Sequence, residues 1–328
     1  MTANSVRVRQ FALAVLVGLV LLWPTARADQ PPTMSRIGVL NPFGISTLEE
    51  VFRDELRQRG YIEGKNIVID WRRPTGSEEE LRSLAADLIR SKVEVIVTAG
   101  TPAAQVAMET TTTIPVVFHV GDPVASGFAV SLARPGGNGT GVSVISAELI
   151  AKRLELLHQL VPRAKRVGYL RNPSNPMASQ LLEEVQKAAH TLGLRVEILD
   201  ARNIPEIDAA LDKLRRSAVN GCLVGGDLSY LAARARISRT LREARLPAVF
   251  AYPEVHEDGA LMSYGPSLKA TMHALAKYVD RILKGAKPAE LPIEQISKYQ
   301  LVIDLRVARE IGVTVPLELL LRADEVIR

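Results

Sequence analysis

Cysteine is nearly absent: Cys222 is the one thiol in 328 residues. A single thiol forms no internal disulfide, so a fold of this length must rest on its apolar core. Cys222 lies in the run Gly221-Cys222-Leu223-Val224 and behaves as a small buried hydrophobe. Histidine is also scarce. His119, His158, His190, His256 and His273 form neither H-x-H nor H-E-x-x-H, so no metal site is expected. There is no G-x-S-x-G elbow, and hydrolase chemistry lacks its nucleophile. Aromatic residues make up 5% of the chain, too few to suggest a stacking platform for single-stranded nucleic acid. The glycine-rich run Pro135-Gly136-Gly137-Asn138-Gly139-Thr140-Gly141 lacks the G-x-x-x-x-G-K-[ST] pattern and does not sit between a strand and a helix. It suits a tight turn entering a strand better than a nucleotide loop. No cofactor is implied by any of these patterns.

Long apolar runs are missing as well. The longest is the mostly apolar stretch from Phe11 to Trp23, shorter than the ~20 residues that span a bilayer. It follows a basic, acid-free start carrying Arg7 and Arg9, and it precedes Pro24 and Ala26-Arg27-Ala28. Charged start, apolar middle and A-x-A site make a secretory signal, with cleavage expected after Ala28 and residues 1–28 removed. No cysteine follows the apolar run, so no lipid attachment is indicated. The signal holds three arginines and no acid, and its loss lowers the formal charge from +5 to +2. That balance, with basic and acidic residues interleaved, leaves no nucleic-acid footprint.

From about residue 34 the chain alternates apolar runs with amphipathic stretches. Arg36–Leu40, Asn66–Trp71, Val93–Ala99 and Pro115–Val120 are expected strands, with helices at 47–60, 77–92 and 102–110 between them. Nearly continuous apolar strands suit parallel sheets covered on both faces. The rhythm breaks at the Pro- and Gly-rich stretch 122–143 and restarts after the helix expected over 146–160. Strands at 166–170, 195–200, 221–225 and 248–252 then alternate with helices at 176–192, 204–217 and 231–245. The expected architecture is α/β, two doubly wound parallel-sheet lobes at 34–144 and 145–255. Residues 256–328 are expected to complete both lobes, crossing between them. Crossings are expected near Val142–Ser146, Tyr252–Ala260 and Lys287–Gln295, forming a three-segment hinge that can close on a small ligand.

Parallel sheets bind ligands at the carboxyl ends of their strands, so the residues after each strand are the candidate site. In the first lobe these are Asn41 and Phe43, then Thr101, Pro102 and Ala103, then Asp122. In the second they are Asn172 and Ser174, then Asp227, then Tyr252. Thr101 is expected as an N-cap with Pro102 at the first helical position. The free N–H groups there suit a ligand carboxylate, or simply begin a well-capped helix. Asp122 and Asp227 suit a ligand amine or the capping of their own turns. His119 ends an apolar strand and either faces the cleft or serves the core.

Several segments together resemble one family. They are Gly60-Tyr61-Ile62-Glu63-Gly64-Lys65-Asn66-Ile67, Ala99-Gly100-Thr101-Pro102-Ala103-Ala104, Gly121-Asp122-Pro123-Val124, Leu132-Ala133-Arg134-Pro135-Gly136-Gly137-Asn138, Leu261-Met262-Ser263-Tyr264-Gly265-Pro266 and Leu321-Arg322-Ala323-Asp324-Glu325. In this order they resemble the extracytoplasmic solute-binding proteins of ABC importers, in the group that includes tryptophan-binding TrpX-like proteins. The resemblance implies a type I periplasmic-binding-protein fold and a small solute, such as an amino acid, held in the interlobe cleft. It implies as partner a permease with a cytoplasmic ATPase, with membrane contact through the permease alone, and a periplasmic location. It also favours Thr101 and Asp122 as ligand contacts. The alternatives are a ligand-sensing subunit for a membrane receptor and, third, an exported α/β enzyme.

Overall fold

The computed structural model of the chain describes residues 34–40, 46–74, 77–144 and 146–328. The export signal expected over 1–28 lies outside the described residues. Ser35–Arg328 form one compact unit.

The first lobe begins β1 (Ser35–Leu40), α1 (Ser46–Gln58), β2 (Ile67–Arg72), α2 (Glu78–Arg90), β3 (Val95–Ala99), α3 (Thr101–Thr110), β4 (Val116–Val120) and β5 (Gly139–Ser143). The second follows as α4 (Ser146–Leu160), β6 (Arg166–Arg171), α5 (Ala178–Thr191), β7 (Arg195–Asp200), α6 (Ile204–Arg216), β8 (Cys222–Val224), α7 (Ser229–Ala232), α8 (Arg234–Glu243), β9 (Ala248–Phe250) and β10 (Met262–Gly265). The remainder is α9 (Leu268–Leu283), β11 (Glu294–Gln295), β12 (Gln300–Asp304), α10 (Leu305–Ile311), α11 (Leu317–Arg322) and β13 (Glu325–Ile327).

The first sheet runs β2-β1-β3-β4-β5-β11, with every pairing parallel. The second runs β7-β6-β8-β9-β10-β12-β13, parallel except where β12 lies antiparallel to β10. Both sheets therefore start from their second strand, step back to the first and then go outward. The strand order reverses between β1 and β3, and again between β6 and β8. Central strands are buried on both faces, which is why their sequences are continuous apolar runs instead of alternating ones. The one acid in the run at 93–97, Glu94, sits at the strand's entry, where its carboxylate accepts the Arg36 N–H at 2.9 Å.

The two lobes repeat one packing device. Gly38 of β1 faces Leu88 of α2, where a Cβ would lie 2.8 Å from a leucine methyl carbon. Gly168 of β6 faces Leu214 of α6, with the equivalent approach at 2.5 Å. Each glycine sits in a matching sequence, Arg36-Ile37-Gly38-Val39-Leu40 and Arg166-Val167-Gly168-Tyr169-Leu170. Lack of a side chain lets a leucine from the covering helix press onto the central strand.

Three segments join the lobes. The chain passes from β5 to α4 after Val144, from β10 to α9 at 266–267, and from β11 to β12 at 296–299. The second and third differ from expectation. Pro253–Asp258 is a 3-10 turn packed on α8 and β10 inside the second lobe, not a crossing. Glu294 and Gln295 still pair with β5, so the third crossing comes after them. The physical marker of the second crossing is a cap. The Ser267 hydroxyl accepts the Ala270 N–H, and Glu254 Oε1 accepts the N–H groups of Leu268 and Lys269. The helix expected over 231–245 is also broken, into α7 and α8, at Ala233.

Gly141 has φ +142°, and a Cβ there would stand 2.2 Å from the Phe118 carbonyl oxygen. Gly141→Ala must shift the backbone of β4 or β5, and its cost is expected on the order of 2–4 kcal/mol. Gly137→Ala meets nothing within 4 Å and is expected to change stability by less than about 0.5 kcal/mol. Urea unfolding midpoints of the two variants check this contrast.

Candidate ligand cleft

A cleft between the lobes encloses about 730 Å³, part of it open to solvent. It lies at the strand ends where both sheets reverse their order, the position at which doubly wound sheets bind ligands. The first lobe contributes Gly100 and Thr101 after β3, and His119 to Gly121 at the end of β4. The second contributes Arg171 at the end of β6 and Asn172 after it, Gly225 to Leu228 after β8, and Tyr252 after β9. Val144, Ile150 and Arg153 form the wall next to the first crossing. The lobes touch across the cleft. A Cβ on Gly100 would lie 3.4 Å from Leu228 Cδ1, and Ser126 Oγ stands 3.6 Å from Met177 Sδ.

Of the residues expected at the site, Thr101, Asn172, Asp227 and Tyr252 line this cleft. Pro102 and Ala103 line an adjoining recess that Asn172 and Asp227 also border. Ser174 lies in an outer groove together with Pro102 and Asn172. Asp122 is not among the residues lining the main cleft. Its Oδ1 accepts the N–H groups of Val124 and Ala125, at 3.0 and 2.9 Å, and so caps its own turn. Asn41 and Phe43 lie outside the described residues.

The start of α3 is shifted by one residue from expectation. Gly100, at φ +93°, is the N-cap, and Thr101 is already helical. Glycine allows this left-handed turn directly after a buried strand. The Thr101 hydroxyl is therefore free of capping and instead accepts the Gly121 N–H at 3.4 Å, tying the ends of β3 and β4 together. Across the cleft, Asp227 is the centre of a polar loop. Its Oδ2 accepts from the side-chain amides of Asn172 and Asn175, at 3.3 and 2.8 Å, and its Oδ1 accepts from the N–H and hydroxyl of Ser229. No cationic side chain lies within ion-pair distance of it among the described residues. Tyr252 donates its hydroxyl to the Gly226 carbonyl at 2.9 Å.

Sequence reasoning missed Arg153 and left His119 undecided. Arg153 is 4% exposed; its Nε donates to the Tyr264 carbonyl at 2.6 Å. Burial lowers its guanidinium to about 10, against a partial counter-effect from the tyrosines around it. The signal was present. In the helix 146–160, Arg153 falls three residues after Ile150 and four before Leu157, on the apolar face. His119 is 3% exposed, lines the cleft and has no partner for Nδ1. Among the described residues no group of three or more His, Cys, Asp or Glu is placed to hold a metal ion.

A two-lobed α/β protein with its cleft at the strand ends of both sheets is a clamp for a small solute. The chain belongs to the ABC transporter substrate binding protein family, whose model matches residues 43–327. Its fold is that of the type I periplasmic binding proteins. A Streptococcus pneumoniae ABC domain solved in complex with L-Trp is 27% identical and has a TM-score of 0.80, covering 90% of this chain and 100% of that one. A conserved domain protein from Vibrio cholerae is 26% identical with a TM-score of 0.82, over 90% of this chain and 100% of that one. A tyrosine-binding protein of Clostridioides difficile is 25% identical over 254 residues, 77% of this chain and 73% of that protein.

Burial holds the imidazoles of His119 and His256 down at about 4. An unfolded histidine titrates near 6.5, so between these values the unfolded chain binds more protons. The stability each neutral histidine contributes is complete above about pH 6.5 and lost as pH falls toward 4. Each is expected to remove about 3 kcal/mol across that window. Urea unfolding at a series of pH values checks this, with His119→Gln expected to flatten the pH dependence by one histidine's share.

Proposed function

We propose that this protein captures an amino-acid-like solute in the interlobe cleft and carries it, chemically unchanged, to a permease driven by a cytoplasmic ATPase. It does so in the periplasm, after removal of residues 1–28. The observation that carries this reading is Asp227: a buried carboxylate held by neutral donors from Asn172, Asn175 and Ser229, with no cationic partner among the described residues, at a cleft where the strand ends of both sheets meet. Such a group is suited to a ligand ammonium. Apolar walls from Met177, Leu181 and Leu228 accept a side chain beside it. Thr101, Pro102, Ala103, Asn172, Ser174 and Tyr252 frame the cleft and its mouths. Asn41 and Phe43, which follow β1 in sequence, and Asp122, which follows β4, are further proposed contacts of the same site. The amino acids bound by the pneumococcal and clostridial relatives support this ligand class.

Thermal unfolding with each of the twenty amino acids tests the reading. A ligand at about 100 times its Kd stabilises the folded state by about 2.7 kcal/mol and raises Tm by several degrees. Calorimetry on Asp227→Asn is expected to show a loss of about tenfold in affinity for whichever amino acid binds. If no amino acid shifts Tm, the solute belongs to another class.

A further inference from the structure

We propose that Arg153 is the receptor for the solute's carboxylate, which places the acid end of the ligand against the first two crossings and away from the start of α3. This rests on reading the cleft as an amino-acid site.

The guanidinium is almost fully buried, yet it has no carboxylate within ion-pair distance among the described residues. The residues left undescribed between 35 and 328, at 41–45, 75–76 and 145, contain no acid that could supply one. Among the described residues its one protein hydrogen bond uses Nε, on the Tyr264 carbonyl. That bond fixes the plane of the group and leaves the two terminal nitrogens for another acceptor, the fork that suits a carboxylate. The slot around it is cut by glycines. A Cβ on Gly226 would lie 3.5 Å from Nη1, and one on Gly265 would lie 3.1 Å from Nη2 and 1.9 Å from the Ala251 carbonyl oxygen.

An unpaired buried charge is costly, and it persists where a binding partner compensates for it. The competing carboxylate site is the start of α3, and most of its polar groups are already committed. The Gly100 N–H goes to the His119 carbonyl, the Thr101 hydroxyl holds Gly121, and Pro102 has no N–H. Arg153 and Asp227 both line the cleft without forming an ion pair with each other. A zwitterion can satisfy both.

The test is calorimetry with L-tryptophan, tryptamine, which lacks the carboxylate, and indole-3-propionate, which lacks the ammonium. Arg153→Met is expected to weaken L-tryptophan and indole-3-propionate by about 100-fold while leaving tryptamine unchanged, and Arg153→Lys to recover part of the loss. The ligand-free Arg153→Met protein is expected to keep or raise its unfolding midpoint, because the substitution removes an uncompensated charge; a purely structural arginine would lower it. L-tryptophan binding to folded Arg153→Met within threefold of wild type overturns the proposal. If none of the three probes and none of the twenty amino acids binds wild type, the amino-acid reading fails, and Arg153 is judged on the small molecules released when the purified protein is denatured. An anionic molecule among them supports its role; their absence, or only neutral and cationic ones, overturns it.

Discussion

Parallel strands cannot be joined by a tight turn. Each must be followed by a connection that returns the chain to the starting edge of the sheet. Every strand then points the same way, and all the carboxyl ends collect at one edge. In this protein that constraint operates twice, in β2-β1-β3-β4-β5 and in β7-β6-β8-β9-β10. Where the order reverses, connections on the two sides of β1, and of β6, leave in opposite directions and open a gap at the strand ends. The cleft is these two gaps facing each other. Its polar groups sit on short segments directly after rigid buried strands, so their positions are fixed by the sheets and little entropy is lost in ordering them for a ligand.

The crossings hold the two gaps in register. The Ile296 N–H donates to the Ser143 carbonyl, tying the third crossing to the end of β5, just before the first. The rings of Tyr264 and Tyr299 stand 6.1 Å apart and tie the end of β10, just before the second crossing, to the third. Glu254, from the second lobe, caps the helix that returns the chain to the first. Burial pushes this carboxyl up, while the helix N–H groups favour its charged form. Crossings pinned at their ends in this way suit a hinge, the arrangement in which a few backbone torsions carry domain closure.

The strands and most helices could be read from sequence because each is set by local pattern: continuous apolar runs for β3 and β4, helical spacing for α4 and α5. The ends of elements were less legible. Thr101 has every property of an N-cap, but Gly100 takes that place because the chain must turn sharply out of β3, and only the surrounding strands dictate the turn. The second crossing is expected from sequence at Tyr252–Ala260 and lies later in the chain. Its actual position depends on Ser267 and on Glu254, thirteen residues away in sequence. Short edge pieces such as β11 and β13 owe their form to a neighbour and carry little pattern of their own.

Site residues divide along the same line. Asp227, Asn172 and Tyr252 follow strands directly, so the rule of strand ends finds them. Asp122 obeys the same rule and, like Asp227, caps its own turn, but only Asp227 lines the main cleft, and no rule of position distinguishes the two. Arg153 escapes the rule because it lies on a helix. Its trace is a charge on an apolar face, a local conflict between pattern and residue. Such conflicts persist where a residue is needed for something other than the fold. The arginine sits three residues past Ile150, on the first helix beyond the first crossing, and bonds to Tyr264 just before the second. A ligand charge placed there would act on the segments that join the lobes, the place where binding energy most directly biases a hinged clamp toward closure.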